Sequence, residues 1–269
     1  RYSNLGGKIN FKDRINKIIV ENNRAVGLRL ANGSEVKSDC VISAADGHET
    51  IFKMLEGKFV DEKVQEYYSQ FPVFTPLVYV GLGVNRSFED TPKIISGIKF
   101  ELQKSIRIGD SESKFLMVRV YNYEPTMAPK GKTLLVCSIE SSYPYWNNLR
   151  EDIKKYNAEK ERVGKEVIAA LDYRFPGLAN QIEMVDVATP VTYFRYTGNW
   201  QGTYEGWIPT PNVPPTFIMK KTLQGLDDFY MVGQWVMPGG GLPSGVLSGR
   251  WVTQMLCKKD GKKFLTSKP

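Results

Sequence analysis

The chain has 269 residues, 42% of them hydrophobic, and its 36 Lys and Arg outnumber its 29 Asp and Glu to give a net charge of +7. That length holds one large domain or two modest ones, with ample apolar material for a core. The basic residues fall in small clusters (Lys154-Lys155, Lys220-Lys221, Lys258-Lys259, Lys262-Lys263) rather than an aromatic-interleaved stripe, which argues against nucleic acid as a partner. The mild positive balance suits solvated faces or a peripheral contact with anionic lipid. With one histidine, His48, neither a histidine-based zinc site nor a Ser-His-Asp triad is expected, and no metal is assigned. Cys40, Cys137 and Cys257 lie far apart and read as small buried hydrophobes in a reducing cytoplasm. No apolar run reaches the roughly 18 residues of a membrane span.

The opening RYSNLGGKINF reads as the end of a helix, with glycine at the C′ position in Leu5-Gly6-Gly7. Strands are predicted over 8–11, 15–21, 25–30 and 35–37, with Asn22-Asn23 and Asn32-Gly33 as the turns between them. Residues 39–46 (DCVISAAD) form a short buried-strand pattern that ends in small residues, and a helix over 47–56 should follow, burying Ile51, Phe52 and Leu55. The texture changes at Asp61. A helix over 61–69 leads to strands at 77–84, 94–100, 115–121 and 133–138. The longest helix is expected over 151–173, with Ile153, Tyr156, Val163, Val167, Ile168 and Leu171 on one face, and Phe175-Pro176-Gly177 ends it. Burying such a face is worth on the order of 10 kcal/mol before chain entropy is subtracted.

A strand near 182–187 brings the chain back. Residues 189–215 then read as a long aromatic, proline-rich loop carrying Tyr193, Phe194, Tyr196, Trp200, Tyr204 and Trp207. Such a loop is either pinned by ring packing or forms the wall of an apolar pocket. Finally a strand over 229–232 runs into Gly233, a loop with Gly239, Gly240 and Gly241, and an apolar helix opened by Pro243-Ser244-Gly245. Proline suits the first turn of a helix because it has no N–H to leave unpaired. The remaining free N–H groups and the helix dipole make such a start a place for anions or electron-rich atoms. It serves equally as a plain tight turn. No Gly-Lys-Ser/Thr follows, so it is not a P-loop, and Ser244 stands where a dinucleotide fingerprint needs its third glycine.

The run Gly233-Gln234 … Pro238-Gly239-Gly240-Gly241-Leu242-Pro243 … Val246-Leu247-Ser248-Gly249-Arg250 resembles the C-terminal flavin motif of the phytoene desaturase and carotenoid isomerase family, within the wider amine-oxidase-like flavoproteins. The order GGKI … I-x-x-I … D-x-V-I-S-A-A-D resembles the middle of the same family. The resemblance implies FAD as cofactor, held by the backbone of Ile15 at the adenine and by Gly233, Gln234, Gly240, Gly241, Leu242, Pro243 and Val246 around the flavin ring. It implies an aromatic substrate wall of Tyr196, Trp200, Tyr204 and Trp235, joined by Met237. Asp46, Arg195 and Glu205 are polar neighbours of that site, but each is as well read as a surface or cap residue, and no catalytic acid or base is assigned.

The implied fold is α/β (α+β): a partial FAD-binding domain of the amine-oxidase/glutathione-reductase type over 1–59 and 190–269, with an inserted sheet-plus-helix substrate domain over 60–189. The N-terminal Rossmann unit of that family has no counterpart here, since Gly81-Leu82-Gly83 is followed by Arg86 at the third glycine's place. The expected partner is therefore the N-terminal part of the same protein, and FAD binding by this chain is expected to be weak. The expected activity is FAD-dependent oxidation or isomerisation of an apolar, isoprenoid-like polyene. The alternatives are an amine or protoporphyrinogen oxidase-like enzyme, or a non-catalytic module that binds lipid or protein.

Overall fold

The computed structural model describes residues 1–94, 96–109, 111–211, 213 and 219–266. A single turn of 3-10 helix, Ser3–Leu5, is closed by Gly6 at φ 88°. Strands β1 (Ile15–Glu21), β2 (Arg24–Leu30), β3 (Glu35–Lys37) and β4 (Val41–Ser43) follow, then a π-helical segment, Glu49–Met54, and α1 (Glu62–Gln70). Next come β5 (Leu77–Val84), β6 (Ile98–Ile108), β7 (Ser111–Val120), β8 (Thr133–Glu140), α2 (Tyr143–Leu149), α3 (Ile153–Arg174), β9 (Ile182–Ala188) and α4 (Pro190–Thr197). The chain ends with β10 (Phe229–Met231) and α5 (Gly241–Lys259).

Local chemistry sets most of these boundaries. Asn22 and Asn23 both take positive φ (50° and 60°), the conformation of a two-residue hairpin turn. The Asp61 carboxylate accepts from Val64 N at 2.8 Å to cap α1, and Asp152 accepts from Lys154 N and Lys155 N to cap α3. Four expectations need correction. Residues 8–11 form no strand. The strand expected at 94–100 is β6, which runs on to Ile108, while Ile95 lies outside the described residues. Before the long helix, Ser142 caps a separate helix, α2, with proline in its first turn. The aromatic stretch 189–215 is not all loop: Pro190 starts α4, whereas Asn212, Pro214 and Pro215 lie outside the described residues.

The chain divides into two compact units. The first is Arg1–Phe74, Gly198–Trp200 and Glu205–Pro269; the second is Thr75–Thr197 and Gln201–Tyr204. Both breaks fall later than the expected 59/60 and 189/190. Helix α1 belongs to the first core, where Val64 and Tyr68 are buried, and α4 belongs to the second through Val191.

In the first unit β1, β2 and β3 form an antiparallel sheet, and β4 pairs with β10 in parallel, with Val41 opposite Phe229 and Ser43 opposite Met231. Its core gathers Ile18, Ala25, Ile51, Trp207, Phe229, Met231 and Trp235. Asp228, buried and at φ 55°, is clasped between Arg24 and Lys259. A buried carboxylate held by two cations closes the end of α5 onto the start of β10; removing one partner from such a pair costs far more than removing a surface pair.

In the second unit five antiparallel strands run in the order β6-β7-β8-β5-β9. Alternation gives the sheet two unlike faces. Val78, Val80, Leu82 and Val84 of β5, with Leu135, Cys137 and Ile139 of β8, are buried beside Val163, Val167 and Leu171 of α3. Leu77, Tyr79, Gly81 and Gly83 of β5 point to the other side and are half-buried. Among the described residues no helix is long and apolar enough to cross a membrane.

Candidate functional site

The stretch that follows β10 is built from backbone conformations that only glycine adopts cheaply. Gly233, Gly239, Gly240 and Gly241 have φ of 98°, 85°, 55° and 71°. Gly240 is the N-cap of α5 at ψ −154°, and no side chain caps the helix. The first N–H groups of α5 are therefore not answered by a capping side chain. A serine missed in the sequence reading fastens this loop. Ser248, fully buried, accepts from Gly233 N at 2.8 Å and donates to Ser244 O at 2.5 Å. One hydroxyl thus holds the end of β10 against the second turn of α5. Its sequence signal, a Ser-x-x-x-Ser stripe beside apolar neighbours, becomes legible only when the strand is known to pack there.

The parallel pairing places the C-terminal ends of β4 and β10 side by side, where ligands of open α/β sheets are held. Beyond them the surface is made of small residues. Ala44 and Ala45 are exposed, and no atom comes within 4 Å of where a Cβ on Gly233 would lie. Leu242 and Val246, on the first two turns of α5, are 86% and 70% exposed. Gly240 is closed on one side by Glu205, whose Cδ would meet an added Cβ at 2.7 Å, and burial pushes the Glu205 carboxyl above its ordinary range.

Of the residues expected at a flavin, Gly233, Gln234, Gly240, Gly241, Leu242, Pro243 and Val246 thus fall along one loop and the helix start it leads into, with Gly233 tied to α5 through Ser248. Ile15 opens β1, in the antiparallel sheet of the same unit, opposite Leu30. The aromatic residues divide. Trp235 is 1% exposed, edge-on to Trp207 at 5.0 Å, and belongs to the core rather than to an open wall. Trp207 Nε1 donates to Trp235 O at 2.9 Å, which fixes the turn before the glycines. Trp200 is half-buried and stacks on His48 at 4.8 Å and 3°. Tyr196 and Tyr204 are in the second unit; Tyr196 is 77% exposed beneath the Arg195 guanidinium.

Asp46 is the polar residue with the most distinctive surroundings. It is 3% exposed and accepts from Glu49 N at 2.7 Å and from Trp200 N at 2.8 Å. It therefore both caps the helical turn after β4 and anchors the 198–200 segment, which Gln234 also reaches by donating from Nε2 to Asn199 at 3.2 Å. Burial pushes its carboxyl up to about 6, against the pull of those backbone donors. Beside it lie two buried polar atoms without a hydrogen-bond partner among the described residues, Tyr68 Oη and Trp235 Nε1.

The chain that carries this site has relatives among known proteins. Residues 2–255 match the family of flavin containing amine oxidoreductases. The chain belongs to that family. It is 31% identical over 248 residues to the chloroplastic prolycopene isomerase of Daucus carota, across 91% of this chain and 39% of that protein. It is 26% identical over 268 residues to the neurosporene-forming phytoene desaturase of Rhodobacter capsulatus, across 93% of this chain and 49% of that one. Within the flavoprotein family it is thus of the phytoene desaturase and carotenoid isomerase kind. A solved oxidoreductase from Methanosarcina mazei shares the fold at a TM-score of 0.56 and 16% identity, over 94% of this chain and 51% of that one. The chain spans about half the length, or less, of the relatives it matches.

The residues present fit a flavin. The small-residue platform of Gly233, Ala44 and Ala45 admits a flat ring system, the uncapped start of α5 offers N–H groups to a ring carbonyl, and exposed Leu242 and Val246 supply apolar cover.

Proposed function

We propose that this chain forms the flavin-ring and substrate side of an FAD-dependent oxidoreductase acting on an apolar, polyene-like isoprenoid, by hydride transfer or flavin-assisted isomerisation. The observation that carries the reading is the uncapped start of α5 beyond the small-residue ends of β4 and β10. The cofactor, when bound, supplies the hydride acceptor. The chain's own residues supply position and charge compensation. The N–H groups of Gly241 and Leu242, at the positive end of the α5 dipole, favour negative charge at the ring edge. Val246 and Leu242 cover the ring and keep water from it. Ser248 and Asp46 hold the two segments, 233–241 and 198–200, that border this surface.

The second unit carries an apolar surface of its own. Antiparallel sheets with a solvated face usually carry polar residues there. Here the outward face of β5 and β8 presents Leu77, Tyr79, Gly81, Gly83, Leu134 and Val136, with the polar Ser138 and Glu140 at one end. Gly81 leaves a gap in the side chains over β5, whereas Met184 of β9 lies over Gly83, and Tyr79 packs against Tyr193 of α4 at 5.4 Å; we read the gap over Gly81 as a shallow groove. We assign this face to the polyene. The pyrophosphate cradle of the cofactor falls to a polypeptide carrying the G-x-G-x-x-G unit, for which the exposed Ile42 of β4 marks an uncovered face.

Titration of FAD and FMN, followed by quenching of the isoalloxazine fluorescence, tests the cofactor placement. Both flavins should bind at micromolar affinity or weaker, FAD ahead of FMN only by what the Ile15 backbone adds at the adenine; each lost increment of about 1.4 kcal/mol is tenfold in affinity. Val246→Glu, on an exposed position, should abolish the quenching. Quenching that Val246→Glu leaves untouched would reject this placement, and submicromolar FAD binding would show that the cradle is not needed.

A further inference from the structure

The outward face of the second unit's sheet carries an arginine that its own neighbours do not neutralise. The strand register fixes its place. Arg119 of β7 lies opposite Val136 of β8, which lies opposite Gly81 of β5. Met117 and Ser138 occupy the next row, with Tyr79 beyond them. Arg119 is therefore set on the rim of the apolar groove over β5, at about two strand spacings (~10 Å) from its floor. An extended arginine covers most of that distance.

Ion pairs in this unit engage Arg86, Lys132, Lys155 and Arg162. Arg119 makes none among the described residues; its recorded bond is from Nη1 to Tyr121 Oη, at a long 3.4 Å. Asp186 stands in the same row, opposite Gly81 on β9, and three strand spacings (~14 Å) keep it from pairing with Arg119. Lys99, which lies opposite Met117 on β6, is turned over the Phe115 ring at 4.9 Å. The bond to Tyr121 holds the ionisation of the guanidinium up, against partial burial. The group is a fixed positive charge with several donors and no ion-pair partner among the described residues, in one row with Val136 and Gly81.

We propose that the groove takes a long apolar molecule ending in a carboxylate, with the chain lying over Gly81, Val136 and Leu134 and the carboxylate held by Arg119 and Tyr121. A planar carboxylate matches the guanidinium fork, whereas a phosphate calls for more than one positive charge. This deepens the assignment of the sheet face to an apolar substrate, and rests on it.

The test uses two probes with the same polyene, all-trans-retinoic acid and all-trans-retinol, titrated into the intact chain and followed by quenching of its intrinsic fluorescence. The acid should bind roughly tenfold or more tightly than the alcohol, with the advantage shrinking as salt is raised. Arg119→Met should bring the acid to the level of the alcohol and leave the alcohol unchanged; Arg119→Lys should keep part of the difference. Gly81→Leu should weaken both probes, since Gly81 has an ordinary φ and its added Cβ would meet nothing nearer than Asp186 O at 3.9 Å, so the variant fills the groove without straining the backbone. Equal binding of acid and alcohol, or an acid preference that survives Arg119→Met, overturns the carboxylate proposal while Gly81→Leu still reports on the groove. Binding that Gly81→Leu does not affect overturns the sheet-face assignment and the proposal with it.

Discussion

In the second unit five antiparallel strands share one face covered by α3, whereas in the first unit the parallel strands β4 and β10 are joined by three residue pairs. The five-stranded sheet is stabilised by its own helix: Val80, Leu82, Leu135, Val163 and Leu171 are wholly buried together. The parallel pair is not covered in the same way. Ile42, the central residue of β4, is 46% exposed, and α5 buries a narrow stripe of Ser244, Ser248 and Val252 while Leu242 and Val246 stay open. Parallel strands are ordinarily covered on both faces. The difference separates two jobs. Apolar side chains in the second unit's core serve stability, and those around the start of α5 stay exposed, as the proposed flavin placement requires.

Substitutions at four positions probe that separation. The largest effect is expected in the second core: Leu171→Ala should cost roughly 2–5 kcal/mol in urea unfolding, through lost burial and the cavity left behind, and should leave flavin quenching by the folded protein intact. In the glycine loop, Gly240→Ala should cost about 2–3 kcal/mol. Its φ of 55° with ψ of −154° is nearly closed to other residues, and the new methyl would crowd Glu205. Here quenching should fall as well, which would confirm that strain and binding meet at that residue. If Gly240→Ala proved neutral in both measurements, the loop would be an ordinary turn.

Asp46→Asn tests the anchored segment by pH. The folded carboxyl is raised to about 6 from 3.8, so between those values the native state holds more protons than the unfolded chain. Its contribution to stability therefore grows as pH falls through about 6 and is absent at neutral pH and above. Relative to Asp46→Asn, the wild type should gain roughly 2 kcal/mol between pH 7 and pH 4.5 in paired urea titrations. A difference that does not vary with pH would mean that this carboxyl is not the buried titrating group. The smallest effect belongs to Val246→Ala. With the side chain 70% exposed, stability should change by about 0.5 kcal/mol or less, while flavin quenching weakens measurably.

The sequence by itself determined the features that rest on local chemistry. The Asn22-Asn23 turn, the Asp61 and Asp152 caps, the alternation of β5 and the glycine loop before α5 are each specified by a few neighbouring residues whose dihedral preferences or hydrogen bonds need no distant partner. The motif at the loop also carried the family. Local signals misled where several were superimposed, as at 189–215, where aromatic and polar residues obscured the proline that opens α4. Only the tertiary structure decided which segments meet. It paired β4 with β10, fastened Gly233 to Ser248, tied Trp200 to Asp46, and placed Trp235 in the core instead of on a wall. It also decided that α3 covers the Val78–Val84 side of β5, leaving Gly81 and Gly83 on the free face with Arg119 two strands away. A period of two states that a strand has two faces. Which face becomes buried, and in what register the neighbouring strands align, depends on the packing of side chains distant in sequence.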